Sequence, residues 1–310
     1  MELILHHYDD SSFAEKVRLV LGLKGLAWRS VEIPAWAPKP DYTPLTAGYR
    51  RTPALQVGAD VYCDTRLIVA ELERRAPLPA LYPGAPEALA RAQSEVLTAW
   101  GEQQLFRPLA LYVTGLHAER FPREFHHDRA TLHGKPPPPL ARVVAAARHQ
   151  RAQFEPQLAW LAGLLADGRD FVLGDAPGVA DIAIYTGPWF LERIGGPSEL
   201  LDRWPRLRAW MTRVAALGHG VRSAMPAAAA LAVAAAARPV PLPPPAAYDP
   251  PEDIAIGETV ELTPLDQRSP AAGTLAWIDA ERVVLHVTNA RCGTVAVHFP
   301  RLGYRLSRAR

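Results

Sequence analysis

The first 80 residues alternate short apolar runs with stretches of helical period. Apolar-polar alternation over a few residues predicts strands, and apolar residues spaced three and four apart predict helices. These signals fall in five segments: a strand at 2–8, a helix from 12, a strand at 28–33, a hairpin at 52–63 and a helix at 64–76. The order βαβ followed by ββα is typical of a thioredoxin-like fold. We therefore predict an α/β domain over residues 1–80.

The next region, residues 86–225, has helical periodicity and no strand signal, which predicts a separate all-α domain. Four segments carry the pattern: 87–105, 141–168, 179–195 and 203–217. A polar stretch at 126–139 interrupts them and is predicted to be a loop.

A proline-rich stretch at 238–253 predicts an extended linker, and a different pattern follows it. Five short strand-like segments between 257 and 306 predict a small all-β module, barrel-like or a curled antiparallel sheet, which we place at 250–310. Because about 60 residues are marginal for independent stability, we expect this module to dock on the helical domain or on a partner subunit. Docking would cover Trp277 or Phe299. We also expect the module to be dispensable for the chemistry of the first domain.

Composition narrows the class of protein. The chain has 310 residues, a formal net charge of +2 and 21% charged residues, so overall charge gives no argument for nucleic acid or a membrane surface. An arginine-rich stretch at 301–310 is better explained as a solvated tail than as a nucleic-acid patch. The cysteines, Cys63 and Cys292, have neither C-x-x-C nor zinc spacing, which fits a reducing compartment. No signal-peptide pattern and no apolar run long enough to span a bilayer are visible, so we expect a cytoplasmic protein.

Adjacent serines begin the first helix. A thioredoxin-fold oxidoreductase carries C-x-x-C here, whereas this chain reads S-S-F-A at 11–14, which excludes disulfide exchange by that route. Ser12 with Glu15 matches the S-x-x-E capping box, so we assign the cap to Ser12 and leave the hydroxyl of Ser11 for function. That hydroxyl can donate to a bound thiolate, whose pKa the helix N-terminus also lowers. The alternative for Ser11 is a second capping residue.

Two further stretches have the groups to hold a peptide. A cis bond between Thr52 and Pro53 would leave the backbone of Thr52 free to pair with an extended ligand. Before it, Arg50 and Arg51 could meet a carboxylate, although such arginines are often plain surface charges.

Asp64 and Thr65 open the second helix of the first domain. Thr65 can hold a carboxylate at the positive end of that helix, and Asp64 can accept from an ammonium group. An ordinary helix cap is the alternative reading of the pair. A ligand with a thiol, a peptide backbone and an amino-acid head would satisfy all of these stretches.

These residues resemble the cytosolic glutathione transferases, most closely the serine-type bacterial and plant groups. The resemblance is specific over residues 8–26 and 49–72 and extends to about 225. It implies that Ser11 is the catalytic serine, with Ser12 in place of the usual proline. Tyr8 is the runner-up hydroxyl, because another branch of the family uses a tyrosine at the end of the first strand.

The resemblance also assigns ligand residues. Thr52 and Pro53 would pair with the cysteine of glutathione, and Asp64 with Thr65, often Glu-Ser in the family, would hold its γ-glutamyl head. Arg51 is also expected to bind glutathione, through a carboxylate of the ligand. In the helical domain, Asp181 matches a buried structural aspartate of the family.

The implied function is that of a transferase that uses glutathione as co-substrate, with no metal, and attacks an apolar electrophile through sulfur. Trp100, Phe106 and Tyr112 are candidates to line the electrophile site, with core packing as the alternative. The family usually forms homodimers, so we expect one. Peroxidase, isomerase or dehalogenase chemistry would use the same first domain. The competing hypothesis is a non-catalytic binding or regulatory scaffold.

Overall fold

A computed structural model describes residues 1–243 and 251–309. Its strands are Ile4–His7 (β1), Ala27–Glu32 (β2), Ala54–Val57 (β3), Asp60–Cys63 (β4), Val221–Ala224 (β5), Thr259–Pro264 (β6), Ala271–Ile278 (β7), Arg282–Asn289 (β8), Gly293–Pro300 (β9) and Tyr304–Arg308 (β10). Its α-helices are Ser12–Leu23 (α1), Thr65–Arg75 (α2), Glu87–Trp100 (α3), Phe106–Leu116 (α4), Arg123–Leu132 (α5), Leu140–Leu164 (α6), Val179–Gly195 (α7), Glu199–Asp202 (α8), Pro205–Ala215 (α9) and Ala227–Ala235 (α10).

The N-terminal region has the predicted thioredoxin-like arrangement. β1 pairs in parallel with β2 and antiparallel with β3, and β3 forms a hairpin with β4. α1 packs its apolar stripe inward, and Val17, Val20 and Leu21 are fully buried. The amphipathic period of α1 is therefore explained by burial of one face against the sheet and the helical domain.

The second region is helical, as the sequence predicts, with two corrections. Half of the stretch predicted as a loop at 126–139 is helix, because α5 extends to Leu132. Val221–Ala224, where no strand was predicted, pairs in parallel with β2. This strand is exposed along its length, so no buried face marked it in the sequence.

All five strands predicted after the linker are present, and they extend the sheet of the first domain. β6 to β9 form an antiparallel meander, β10 returns beside β6, and β9 pairs in parallel with β4. The result is a ten-stranded sheet in the order β10-β6-β7-β8-β9-β4-β3-β1-β2-β5. We call residues 251–309 the C-terminal β-segment.

The prediction that this segment docks on the helical domain is therefore wrong, because its main contact is with the first domain. The backbone of Arg268 donates to the Leu132 carbonyl at the end of α5, but the strand pairing is with the first domain. Trp277 and Phe299 are buried, as expected. Without this pairing β4 would be an edge strand with a row of unpaired backbone groups, and β9 occupies that edge.

One hydrophobic cluster spans the first domain and the C-terminal β-segment. It combines buried residues of both: Ile4, Val31, Tyr42, Leu45, Val61 and Cys63 from the first, and Val260, Leu262, Leu275, Leu285, Val297 and Phe299 from the second. Because the two parts share this core, neither can be removed without exposing the other's apolar face.

The domain boundaries at 80, 86 and 225 remain a sequence prediction, and the outer limits of the last domain, residues 250 and 310, lie outside the described residues. Within the described ranges, no helix is both long enough and apolar enough to cross a bilayer.

Candidate functional site

The three stretches singled out from the sequence meet at one end of the sheet. In the register of the strands, His6 of β1 lies opposite Ala54 of β3, which lies opposite Cys63 of β4. The residues just beyond these three positions are Tyr8 to Ser11, Thr52 with Pro53, and Asp64 with Thr65. Strand pairing therefore brings all of the candidate ligand residues of the first domain to a common edge.

Ser11, not Ser12, is the N-cap of α1. Its Oγ accepts a hydrogen bond from the backbone N–H of Ala14 at 3.2 Å. Glu15 makes no capping box, because its carboxylate is bound by Arg18 and His219. The assignment of the cap to Ser12 was wrong. The two roles of Ser11 are compatible, however, because a hydroxyl that accepts through a lone pair still has its proton to donate.

Thr52 and Pro53 are joined by a cis peptide bond, as predicted. The side chain of Thr52 accepts from Lys39 Nζ at 2.9 Å, and the same ammonium lies 6.0 Å from the ring centroid of Tyr8. The sequence analysis missed Lys39, which lies between two prolines in an irregular segment where no periodic pattern marks a residue.

Lys39 has a buried amine that makes no ion pair with the part of the chain that the structure describes. It is 6% exposed, and no carboxylate of residues 1–243 or 251–309 lies within ion-pair distance of its Nζ. Burial, together with the nearby guanidinium groups of Arg129 and Arg50, lowers the pKa of Lys39 to about 7, while Asp128 acts in the opposite direction. A buried ammonium of this kind is stabilised when an anion binds beside it.

The two arginines proposed for a carboxylate already have partners. Arg50 pairs with Asp128 of α5, and Arg51 pairs with Asp266 of the C-terminal β-segment. Asp128 also accepts from the backbone N–H of Ala37 at 3.1 Å. Both pairs tie the segment before Thr52 to other parts of the chain.

Asp64 caps α2 and has a φ of 73°. Its Oδ1 accepts from the backbone N–H of Arg66 at 3.0 Å, and its Oδ2 accepts from the hydroxyl of Tyr304 at 3.0 Å. Positive φ is costly for a residue with a side chain and persists where surrounding contacts hold it, often at ligand sites. Asp64 is thus fixed in orientation from two sides.

Thr65 is buried and its Oγ1 accepts from Lys16 Nζ at 3.3 Å. Lys16 belongs to α1 and also donates to Glu102 at 2.7 Å, in a short π-helical turn between α3 and α4. This link joins the start of α2, the first helix and the helical domain.

Tyr8, the runner-up hydroxyl, faces a different partner from Ser11. Its hydroxyl lies 3.5 Å from Nη2 of Arg129, which belongs to the helical domain. Its backbone carbonyl accepts from the Ser11 N–H at 3.1 Å. The phenol of Tyr8 thus faces the helical domain, whereas the hydroxyl of Ser11 lies at the start of α1.

Aromatic rings lie next to the start of α1. Phe13 makes an edge contact with Phe106 at 5.2 Å between centroids, and Phe106 lies 5.8 Å from Phe190. Of the three electrophile-site candidates, Phe106 is therefore close to Ser11 in space. Trp100 and Tyr112 are partly buried against the main core, with Tyr112 in edge contact with Phe154 at 5.1 Å.

Asp181 has the structural role expected for it. Its Oδ1 accepts from Val172 N–H and from Trp210 Nε1, both at 2.8 Å, and its Oδ2 accepts from Gly178 N–H at 3.1 Å. The carboxylate thus supplies one half of a capping box, from the third helical residue back to the N–H of Gly178, while glycine has no side chain to supply the other half. Across the described residues, no cluster of three or more histidine, cysteine or acidic residues could hold a metal ion.

The thioredoxin-like domain followed by a helical domain places this protein in the class of glutathione-transferase-like proteins. Residues 5–80 match the family description "Glutathione S-transferase, N-terminal domain", and residues 129–213 match "Glutathione S-transferase, C-terminal domain". The chain belongs to the glutathione S-transferase family, and this membership supports glutathione-dependent transferase or isomerase activity.

The relatives differ in how much of the chain they cover. A solved structure described as a GST-like protein from Pseudomonas syringae is 36% identical with a TM-score of 0.78, over 99% of this chain and 100% of that one. A maleylacetoacetate isomerase from Pseudomonas aeruginosa is 28% identical over 72% of this chain and 95% of its own length. A glutathione S-transferase from Rhodospirillum rubrum, 23% identical, shares the fold with a TM-score of 0.53 over 69% of this chain and 87% of its own.

Proposed function

We propose that this protein binds glutathione at the end of the sheet where Ser11, Thr52 and Asp64 come together, and directs the sulfur of glutathione to an electrophilic small molecule. The observation that carries the proposal is the buried amine of Lys39, which donates to Thr52 and has no carboxylate within ion-pair distance in the described residues. Glutathione has a carboxylate at its glycyl end and both a carboxylate and an ammonium at its γ-glutamyl end. Lys39 would meet the glycyl carboxylate, and Asp64 would meet the ammonium.

Ser11 is the proposed donor to the sulfur. Its Oγ is held at the start of α1 by the Ala14 N–H, and the positive end of the helix dipole lies at the same point. Both favour the thiolate over the thiol, which makes a nucleophile at neutral pH. The alternative donor is Tyr8. Thr52 and Pro53 would lie beside the cysteine of the ligand, and Thr65 beside its γ-glutamyl carboxylate.

The electrophile would lie against the rings of Phe13 and Phe106, which pack next to the start of α1. In conjugation, the sulfur forms a bond to carbon and a leaving group departs, or it adds to an electron-poor double bond. The second candidate is cis–trans isomerisation, in which sulfur adds, the carbon–carbon bond rotates and sulfur leaves. Similarity to a maleylacetoacetate isomerase favours this candidate.

Calorimetric titration with glutathione, followed by assays with a panel of electrophiles and with cis-alkene substrates, tests the proposal. Binding with turnover of an electrophile supports the transferase, and isomerisation without consumption of glutathione supports the second candidate. Binding without turnover would support the scaffold hypothesis, and absence of binding would refute the proposal.

We further propose a homodimer, testable by sedimentation, and a cytoplasmic location, which the free buried thiols of Cys63 and Cys292 favour.

A further inference from the structure

A phenol from the end of the chain reaches the edge of the proposed glutathione site. Tyr304 begins β10, and its hydroxyl lies 3.0 Å from Asp64 Oδ2 and 2.7 Å from the hydroxyl of Tyr49. Tyr304 and Tyr49 are 8% and 2% exposed. Asp64 and Tyr304 are 240 residues apart in the sequence, so only the pairing of the C-terminal β-segment with the first domain brings them together.

The direction of the hydrogen bonds follows from the number of protons. Asp64 accepts on both of its oxygens, from Arg66 N–H on Oδ1 and from Tyr304 on Oδ2. Tyr304 has a single proton, which is given to Asp64, so Tyr49 must donate to Tyr304. Burial raises the pKa of both phenols, so both remain protonated and the chain of donors ends on Asp64.

The same segment also holds the other side of the site. Arg51, next to Thr52, is paired with Asp266, and the backbone N–H of Ala272 donates to the Ala47 carbonyl at 3.0 Å. The C-terminal β-segment therefore contacts the residues that lead to Thr52 as well as Asp64 itself. It is placed to affect the ligand edge of the first domain, in contrast to the sequence-based expectation that it is dispensable.

We propose that Tyr304 is a positioning residue of the glutathione site, which fixes the carboxylate of Asp64 for the γ-glutamyl ammonium. The inference rests on the proposed function. A carboxylate has about four lone-pair directions, and the two bonds from Tyr304 and Arg66 leave others for a ligand. With both oxygens held, the remaining directions are fixed before the ligand arrives, which lowers the entropy cost of binding.

The test compares Tyr304→Phe with Tyr62→Phe. Tyr62 lies on β4, two residues before Asp64, and its ring stacks on His298 of the C-terminal β-segment at 4.5 Å between centroids. Both variants lose one phenol oxygen at the same junction, but only Tyr304 donates to Asp64. Each is titrated with glutathione and with the dipeptide Cys-Gly, which lacks the γ-glutamyl unit, after a thermal melt has checked the fold.

We expect Tyr304→Phe to bind glutathione about tenfold more weakly, the scale of one hydrogen bond to a charged group. Its affinity for Cys-Gly should equal that of the parent protein. Tyr62→Phe should keep both affinities within about twofold. A purely structural role for Tyr304 would lower both affinities together and would overturn the inference.

A double-mutant cycle with Asp64→Asn tests the path through Asp64. In the Asp64→Asn background, Tyr304→Phe should cause no further loss of glutathione affinity. Equal losses in both backgrounds would overturn the inference. If Tyr304→Phe does not fold, Tyr49→Phe takes its place in the same cycle. Its loss of glutathione affinity should be smaller and should vanish in the Asp64→Asn background. A loss that persists in that background would contradict the inference. If the parent protein binds no glutathione, the proposed function fails; if it binds and Tyr304→Phe is unchanged, only this inference fails.

Discussion

The imidazole of His298 and the carboxylate of Asp60 lie 2.9 Å apart, both buried, where β9 joins β4. The second oxygen of Asp60 accepts from the backbone N–H of Val240, at the start of the linker. Strand pairing, a polar contact and the ring stack between His298 and Tyr62 thus coincide at one place. The junction is built as the interior of a single domain.

Truncation after Arg238 should therefore destabilise the first domain. The shortened chain would expose Leu45, Val61 and Cys63, which the C-terminal β-segment covers. At about 25 cal/mol per Å², exposing about 200–600 Å² of apolar surface is enough to cancel a typical margin of about 5–15 kcal/mol. We expect insoluble or partly unfolded protein, measured by yield and circular dichroism.

The matched control for the truncation is the full chain cut by a protease at a site introduced between residues 243 and 251, so that both parts remain together. This nicked protein should stay folded and bind glutathione. A truncated chain that melts at the same temperature as the parent protein would contradict the shared core.

Ser11→Ala should have two separable effects. Loss of the cap should lower the free energy of unfolding by about 1 kcal/mol. Loss of the donor to the thiolate should lower the turnover number by about 10²-fold, the scale of one preorganised donor. Ser12→Ala is the control, because Ser12 makes neither the cap nor, in our proposal, the thiolate contact. Equal turnover in Ser11→Ala would transfer the role, and Tyr8→Phe would then be expected to show the loss.

Lys39→Met should raise stability and weaken glutathione binding together. The pKa of Lys39 is lowered to about 7 by burial and by Arg129, against an ordinary value of 10.5. Below pH 7 the folded protein therefore carries a charge that its environment disfavours, and stability rises with pH between about 7 and 10.5 as this charge is lost. The variant should melt at a higher temperature than the parent at pH 6, and the difference should shrink toward pH 10.

Binding itself should take up a proton at Lys39. At pH 8 the lysine of the free protein is largely neutral, and a carboxylate beside it favours the charged form. Calorimetry with S-methylglutathione, which has no titrating thiol, should show proton uptake in buffers of different ionisation enthalpy. Lys39→Met should abolish this uptake. Uptake that persists in the variant would assign the proton to another group.

Buried histidines should make the protein acid-sensitive well above the range of its carboxylates. Burial lowers the pKa of His6 to about 4 and that of His7 to about 3. The unfolded chain binds protons at these residues below about pH 6.5 while the native protein does not, so stability falls as pH falls from 6.5 to about 4. Each histidine contributes a slope of about 1.4 kcal/mol per pH unit. Urea unfolding at pH 7, 6 and 5 measures the slope, and His6→Gln should reduce it by one histidine's share.

Local patterns were enough to predict the strands and helices of the first domain, the cis bond before Pro53 and the five strands at the end of the chain. They did not predict which of Ser11 and Ser12 caps α1. Two adjacent serines look alike in the sequence, and the cap is the one with extended backbone angles, which is Ser11. A capping motif in the sequence does not resolve a shift of one residue.

The role of Lys39 and the docking of the C-terminal β-segment could not be predicted from the sequence, for a different reason. In our proposal the lysine is functional because it is buried and has no counter-ion among the described residues. Neither property produces a periodic pattern in the sequence. The pairing of Asp60 with Ala296 joins residues 236 positions apart, and an apolar strand does not specify which edge it will pair with.

The parallel pairing of β4 with β9 sets the order in which the molecule can be completed during synthesis. β4 ends at Cys63 and its neighbour β9 begins at Gly293, so β4 leaves the ribosome well before the strand that pairs with it. Until then β4 is an edge strand with unpaired backbone groups beside an uncovered apolar face. The nascent protein must pass through a long interval in which its first-made domain is its least protected, so a pause or a premature stop before β9 is made should leave a chain prone to aggregation.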